Sequence, residues 1–285
     1  MSFYAKIGNL ELRSPLLLAS GTWGLGESEI PGVEYLSALI TKGISKEPMP
    51  GNPPPRLAEA PCGLINSIGL ENPGIEIFLE EYLPRIKELC PKVIVNLHGE
   101  SIEDFCYLAE RLDGVDVSGI ELNISCPNVK KGGIHFSESA KDVFELVSEV
   151  RKRFKRVLIV KLSPRSQVLD IAFACEEAGA DALTVANTYP ALAVVSLKPF
   201  KLLLGGLSGP AIKPLTMRLV YELSKKVNLP IIASGGVMTG RDVVEYLACG
   251  AVAVQIGTAL LVDPFAVKKI YKEFEELSQE LGWGG

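Results

Sequence analysis

Eight short apolar runs recur along the chain, each rich in Leu, Val and Ile and bounded by Gly, Ser, Asn or Pro. They are PLLLAS at 15–20, ALITKG at 38–43, VIVNLHG at 93–99, GIELNIS at 119–125, VLIVKLS at 157–163, DALTVANT at 181–188, PIIASGG at 230–236 and AVAVQIGT at 251–258. Runs of this length between such residues read as buried strands. The stretches between them carry apolar positions at helical spacing: Phe105, Leu108, Ala109 and Leu112; then Val143, Leu146, Val147 and Val150; then Ile270, Phe274, Leu277 and Leu281. Helices with one apolar stripe clad a sheet and leave their charged face to water.

Strands alternating with helices imply parallel pairing through right-handed crossovers, and eight of them suffice to close a cylinder. The expected fold class is therefore α/β, a (β/α)8 TIM barrel with active-site insertions, in a single domain over 1–285. No Ser/Gly linker or shift in composition marks a second domain. Residues 45–90 and 188–210 are long insertions rich in Gly and Pro, and insertions after barrel strands build the mouth where such folds do their chemistry.

Composition narrows the function classes. The net charge is −5, with no block of Lys and Arg long enough to follow a phosphate backbone, so a nucleic-acid partner is not expected. The start, MSFYAKIGNLELRSP, lacks a signal-peptide pattern, and no apolar run is long enough to span a bilayer; a cytoplasmic protein without membrane attachment is expected. Cysteines at 62, 90, 106, 126, 175 and 249 form no CxxC pair or cysteine–histidine cluster, so no metal or iron–sulfur site is expected in this chain. Cys106, Cys175 and Cys249 sit in helical patterns as core thiols, and His98 and His135 read as structural or solvated.

Candidate chemistry collects at the strand ends. Ser20 and Gly21 follow the first run, Lys42 the second, Asn96 the third, Asn123 and Cys126 the fourth, Lys161 the fifth, and Asn187 with Thr188 the sixth. Cys126 lies between two asparagines, Asn123 and Asn128. An ionised thiol there can accept a proton or attack, while the amides offer a planar ligand both donors and acceptors. Gly235-Gly236 and Gly257-Thr258 end the last two strands, in the position where backbone N–H groups and the next helix N-terminus receive a phosphate. Two lysines at one mouth need compensation. Neither has an acidic neighbour in its own strand, so a reduced flavin or an enolate is expected to supply the negative charge, the alternative for each being a structural ion pair with a nearby carboxylate. No GxGxxG fingerprint supports a nicotinamide site.

The segments INSIGLENPG (65–74), NISCPNVKKGG (123–133), ANT (186–188), GGLSGPAIKP (205–214), IIASGGVMTGRD (231–242) and QIGTAL (255–260) together closely resemble the class 1 dihydroorotate dehydrogenases, over nearly the whole chain. The spellings SGPAIKP and CPNVKKGG resemble the class 1B catalytic subunit more than the fumarate-using class 1A enzyme. The resemblance implies FMN held by Ser20, Gly21, Lys42, Gly43, Asn96, Asn123, Lys161, Ala186, Ser208, Gly209, Gly235, Gly236, Gly257 and Thr258. It implies dihydroorotate or orotate bound by Lys42, Asn66, Ser67, Ile68, Gly69, Leu70, Asn123, Asn128, Asn187 and Thr188. In that reading Cys126 is the general base at ring carbon C5, hydride leaves C6 for the flavin, and Lys161 stabilises the charge gained on reduction. The product is orotate, in de novo pyrimidine (UMP) biosynthesis. The resemblance also implies a homodimer and an electron-transfer subunit carrying FAD and an iron–sulfur cluster that passes electrons to NAD.

The chain departs from the family by being shorter between Tyr189 and Leu204 and at its C-terminus, and by carrying Met49-Pro50 where relatives place arginine. Three alternatives share parts of the pattern: a fumarate-linked class 1A enzyme, a tRNA dihydrouridine synthase, which is also an FMN barrel with a cysteine, and a sugar-phosphate isomerase or aldolase. A noncatalytic barrel subunit is the fourth.

Overall fold

A computed structural model describes residues 3–26, 28–90, 92–124, 139–164 and 167–282. Eight parallel strands close a barrel in chain order: β1 (Leu16–Leu18), β2 (Ala38–Ile40), β3 (Val93–Leu97), β4 (Gly119–Asn123), β5 (Val157–Lys161), β6 (Ala182–Val185), β7 (Ile231–Ser234) and β8 (Ala253–Ile256). Each falls inside one of the eight apolar runs. Helices α1 (Leu83–Leu89), α2 (Ile102–Asp113), α3 (Ala140–Arg153), α4 (Val168–Glu177), α5 (Lys213–Ser224), α6 (Gly240–Ala248) and α7 (Ala266–Glu280) follow β2 to β8 in turn. The stripes read from sequence face the barrel: Phe105, Leu108, Leu112, Val143, Leu146, Val150 and Ile270 are buried. Leu281 is not; it lies past the end of α7 and is exposed. Ser101 and Ser139 cap α2 and α3, each accepting from the backbone N–H three residues on.

Because side chains alternate across a strand, residues two apart share the barrel interior. Ile94, Ile159, Ala182 and Ala253 pack with Leu17, Ile40 and Ile232 in an apolar plug, which the N-terminal hairpin Ala5–Ile7 and Leu10–Leu12 extends through Ile7, Leu10 and Leu12. Two residues further toward the mouth, the same four strands supply Asn96, Lys161, Thr184 and Gln255, all buried. The interior therefore changes from hydrocarbon to polar within one layer.

The two insertions are not loops throughout. Leu57–Ala60, Gly63–Asn66, Tyr189–Leu197 and Phe200–Ser208 pair as a four-stranded antiparallel sheet over the barrel, with Ser208 opposite Leu64 and Tyr189 opposite Leu207. One face carries Ile65 and Leu203 inward, while Leu57, Leu192, Val194, Leu202 and Leu204 are exposed on the other. No helix among the described residues is long and apolar enough to cross a membrane.

Candidate functional site at the barrel mouth

At the centre of the polar layer stands Glu121, in β4, with no exposure to solvent. Its Oε1 accepts from Asn96 Nδ2 at 2.7 Å; its Oε2 accepts from Thr184 Oγ1 at 2.6 Å and from Gln255 Nε2 at 2.8 Å. Lys161 Nζ lies 3.9 Å from Oε1 and donates to Ser20 Oγ at 3.3 Å. For Lys161 the structural ion pair, held as the alternative to a bound anion, is present, with a carboxylate from the neighbouring strand. The relation is invisible within one strand. It comes from β4–β5 pairing, which sets Glu121 opposite Ile159 and Asn123 opposite Lys161. Only the polar residue types along the inward positions of β4, β6 and β8 could have signalled Glu121, Thr184 and Gln255.

Around this layer the rim brings together most of the residues expected to meet a pyrimidine. Asn187 Nδ2 donates to Asn123 Oδ1 at 3.2 Å, and Asn187 Oδ1 accepts from the Thr188 backbone N–H at 2.8 Å. Asn66 Nδ2 donates to the Gly206 carbonyl at 3.2 Å, which ties the 66–70 turn to the antiparallel sheet. Asn52 Nδ2 holds the Ser67 carbonyl and hydroxyl at 3.1 Å each, and Asn72 Nδ2 holds the Leu70 carbonyl at 2.8 Å. Asn52 and Asn72 carry no sequence signal beyond residue type, yet they fix a turn in which Gly69 and Leu70 both take positive φ, at 75° and 57°. Lys42 is half-buried at this rim, and with Arg56 it holds the Glu71 carboxyl below its ordinary range, Arg56 contributing most. Leu70 also lies against Gly43.

Three backbone turns meet on the other side of the mouth. A Cβ on Gly236 would stand 2.9 Å from the Gly209 carbonyl oxygen, and one on Gly209 would stand 3.4 Å from Thr258 Cγ2. Thr258 Oγ1 donates to Ser208 Oγ at 2.8 Å. Ser208, Gly209, Gly235, Gly236, Gly257 and Thr258 thus form one hydroxyl- and amide-lined corner. Tyr246, fully buried in α6, donates to the Gly235 carbonyl at 2.6 Å; burial pushes its hydroxyl pKa up, so it remains a donor. The expected contribution of the helix N-terminus after β7 is not found. Thr239 and Asp242 form a capping box there, Asp242 Oδ2 accepts from the Met238 and Thr239 N–H groups, and Glu273 takes the Gly240 N–H. Those donors are consumed by the protein itself.

Cys126 and Asn128, together with His135, lie outside the described residues. Cys126 follows the last residue of β4 by three positions in sequence. His98 is buried with Nδ1 unpartnered, and Cys175 lies in the core; Cys249, at the end of α6, is half-buried.

The donor set fits FMN. The ammonium of Lys161 is bonded to the hydroxyl of Ser20 and the amides of Asn123 and Asn187 to each other, all at strand ends of the mouth, while Asn96 Oδ1 is buried without a partner beside Gly43. A flavin's ring edge presents donors and acceptors that match such groups, and its phosphate matches the glycine–hydroxyl corner.

A parallel barrel with a cationic, amide-rich mouth and a corner of glycine turns and hydroxyls carries the groups that a flavin-type barrel oxidoreductase uses. The dihydroorotate dehydrogenase family model matches residues 2–277, and the chain belongs to that family. It is 44% identical over 270 residues to the "Dihydroorotate dehydrogenase B (NAD(+)), catalytic subunit" of Thermoanaerobacter pseudethanolicus, covering 93% of this chain and 89% of the relative. Proteins of the same description in Geotalea uraniireducens and Citrifermentans bemidjiense are 44% and 45% identical, covering 97% and 95% of this chain and 93% and 91% of theirs. The chain is an FMN-dependent oxidoreductase of the dihydroorotate-to-orotate reaction.

Proposed function

We propose that the mouth described above carries out that oxidation with Cys126 as the base. The observation that supports it best is the convergence of Asn66, Asn123, Asn187 and Thr188 on one side of the mouth with Lys161 beneath them. Dihydroorotate, puckered at its saturated C5 and C6, carries a carboxylate and an imide edge, so amides that donate and accept suit it, and Lys42 at the rim supplies a cation. When bound, FMN would supply the acceptor for the hydride leaving C6. The residues of the chain do the remainder: Cys126 takes the C5 proton, Asn123, Asn128, Asn187 and Thr188 orient the ring, and the 66–70 turn closes one side. Ser20, Gly21, Lys42, Gly43, Asn96, Asn123, Lys161 and Ala186 hold the flavin ring and its chain. Ser208, Gly209, Gly235, Gly236, Gly257 and Thr258 hold the phosphate.

The relatives are described as NAD(+)-linked catalytic subunits. We extend this to the chain: an electron-transfer subunit with FAD and an iron–sulfur cluster relays electrons to NAD, and the catalytic chain is a homodimer. The exposed apolar face of Leu57, Leu192, Val194, Leu202 and Leu204 supports an assembled protein, because a contiguous patch of this kind marks association. The test is formation of orotate from dihydroorotate by the purified chain with an artificial electron acceptor, then with NAD and the partner added. Orotate with the artificial acceptor is expected; a preparation that holds flavin but makes none refutes the assignment.

A further inference from the structure

The carboxylate of Glu121 touches neither the rim nor the phosphate corner, yet Asn96, Thr184 and Gln255 of its layer all donate to it. Three donors reach its two oxygens at 2.6 to 2.8 Å, and the ammonium of Lys161 lies beside it at 3.9 Å. The pair is almost wholly sequestered, with Lys161 at 7% and Glu121 at 0% side-chain exposure. Two charges without water interact strongly, and each helps to offset the desolvation cost of the other. The donors fix the carboxylate in one orientation. Thr184 and Gln255 engage Oε2, and Gln255 is itself bonded to Thr184 at 3.2 Å, which leaves Oε1 to Asn96 and the lysine.

We propose that Glu121 is a positioning residue that orients Lys161 and Asn96 toward the mouth and, by offsetting the lysine charge, sets the balance between oxidised and reduced flavin. This rests on the flavin reading given above. The carboxylate makes no contact with substrate. It acts through two groups that both belong to the cofactor set, and Asn96 connects them: Nδ2 is held by Glu121, which leaves Oδ1, buried and unpartnered, turned toward Gly43. A purely structural carboxylate would affect stability alone. One that offsets Lys161 also changes the electrostatic potential where negative charge arrives on reduction, because an uncompensated ammonium favours the reduced form.

The experiment is the midpoint potential of the bound flavin in wild type and Glu121→Gln, each measured from mildly acidic to alkaline pH. In the variant the potential is expected to move positive by at least a tenfold change in the oxidised/reduced equilibrium, about 30 mV for a two-electron couple. Glu121→Asp, which keeps the charge, should lie closer to wild type. A wild-type protein that holds no flavin defeats the flavin reading; a variant whose potential matches a flavin-loaded wild type at every pH defeats the role of Glu121 alone. Where Glu121→Gln does not fold, the double variant Glu121→Gln/Lys161→Gln, lacking both charges, is expected to recover folding and thermal stability. A double variant no better than the single shows that Glu121 serves the core rather than Lys161, and overturns the proposal.

Discussion

Asn187 Nδ2 donates to Asn123 Oδ1 across 3.2 Å, although the two residues belong to the ends of β6 and β4 and the whole of β5 lies between them. The bond bridges directly over Lys161, the last residue of β5. It orients both amides before a ligand arrives, and preorganised polar groups hold a substrate at lower entropic cost. Asn187→Ala is therefore expected to raise KM for dihydroorotate about tenfold, the worth of about one lost hydrogen bond, while flavin content stays at the wild-type level. Steady-state kinetics with flavin quantified in the same samples check this.

Cys126→Ala should retain flavin and lose turnover by about 10²- to 10⁴-fold, the usual contribution of a positioned base. Its pH dependence gives the sign. A thiol near its ordinary pKa of about 8.5 is protonated at neutral pH, so flavin reduction in the wild type should accelerate as pH rises through that range. Rapid-mixing kinetics of flavin reduction against pH will show whether the limb is present in the wild type and absent in the variant.

Gly236 has φ 71°, and an added Cβ would stand 2.7 Å from Lys213 Cβ and 2.9 Å from the Gly209 carbonyl oxygen. Lys213 cannot retreat freely, since its ammonium is held by Asp242 and by Glu245 at 2.5 Å. Gly236→Ala combines a disfavoured backbone region with a steric overlap, and a cost on the order of 1–3 kcal/mol falls on the corner assigned to the phosphate. The expected outcome is flavin affinity at least tenfold weaker, read by fluorescence during reconstitution of the apoprotein.

His98 supplies a stability prediction. Burial lowers its imidazole pKa from 6.5 to about 4, against a small opposing pull from Asp104. A folded-state pKa below the unfolded one means the unfolded chain binds the extra proton first. The contribution is therefore complete above pH 6.5 and is lost as pH falls toward about 4. The full loss is roughly 3 kcal/mol at 1.36 kcal/mol per unit. Melting temperature should fall over this window in the wild type, with a shallower fall in His98→Gln. Equal slopes would remove His98 as the cause.

The barrel was legible because strand length, bounding residues and helical stripes are local properties, and all eight runs and the stripes of α2 and α3 appear where the pattern puts them. The antiparallel sheet over the mouth was not, because Tyr189–Leu197 pairs with Phe200–Ser208, which in turn pairs with Gly63–Asn66 more than a hundred residues earlier. Polar residues at strand ends announced Asn123, Lys161 and Asn187. Glu121 stayed hidden because its meaning depends on register with β5 and on donors from β3, β6 and β8. The capping box after β7 was written in the sequence as Thr239 and Asp242, and its acidic member argues against a free anion-binding helix end.

The central claim is that this mouth oxidises dihydroorotate on a bound flavin, and an anaerobic titration of the yellow protein with dihydroorotate addresses it without any partner or acceptor. The account predicts stoichiometric bleaching of the flavin band with one orotate formed per flavin. Flavin that stays oxidised in excess dihydroorotate, in protein shown to be folded and fully loaded, would contradict it.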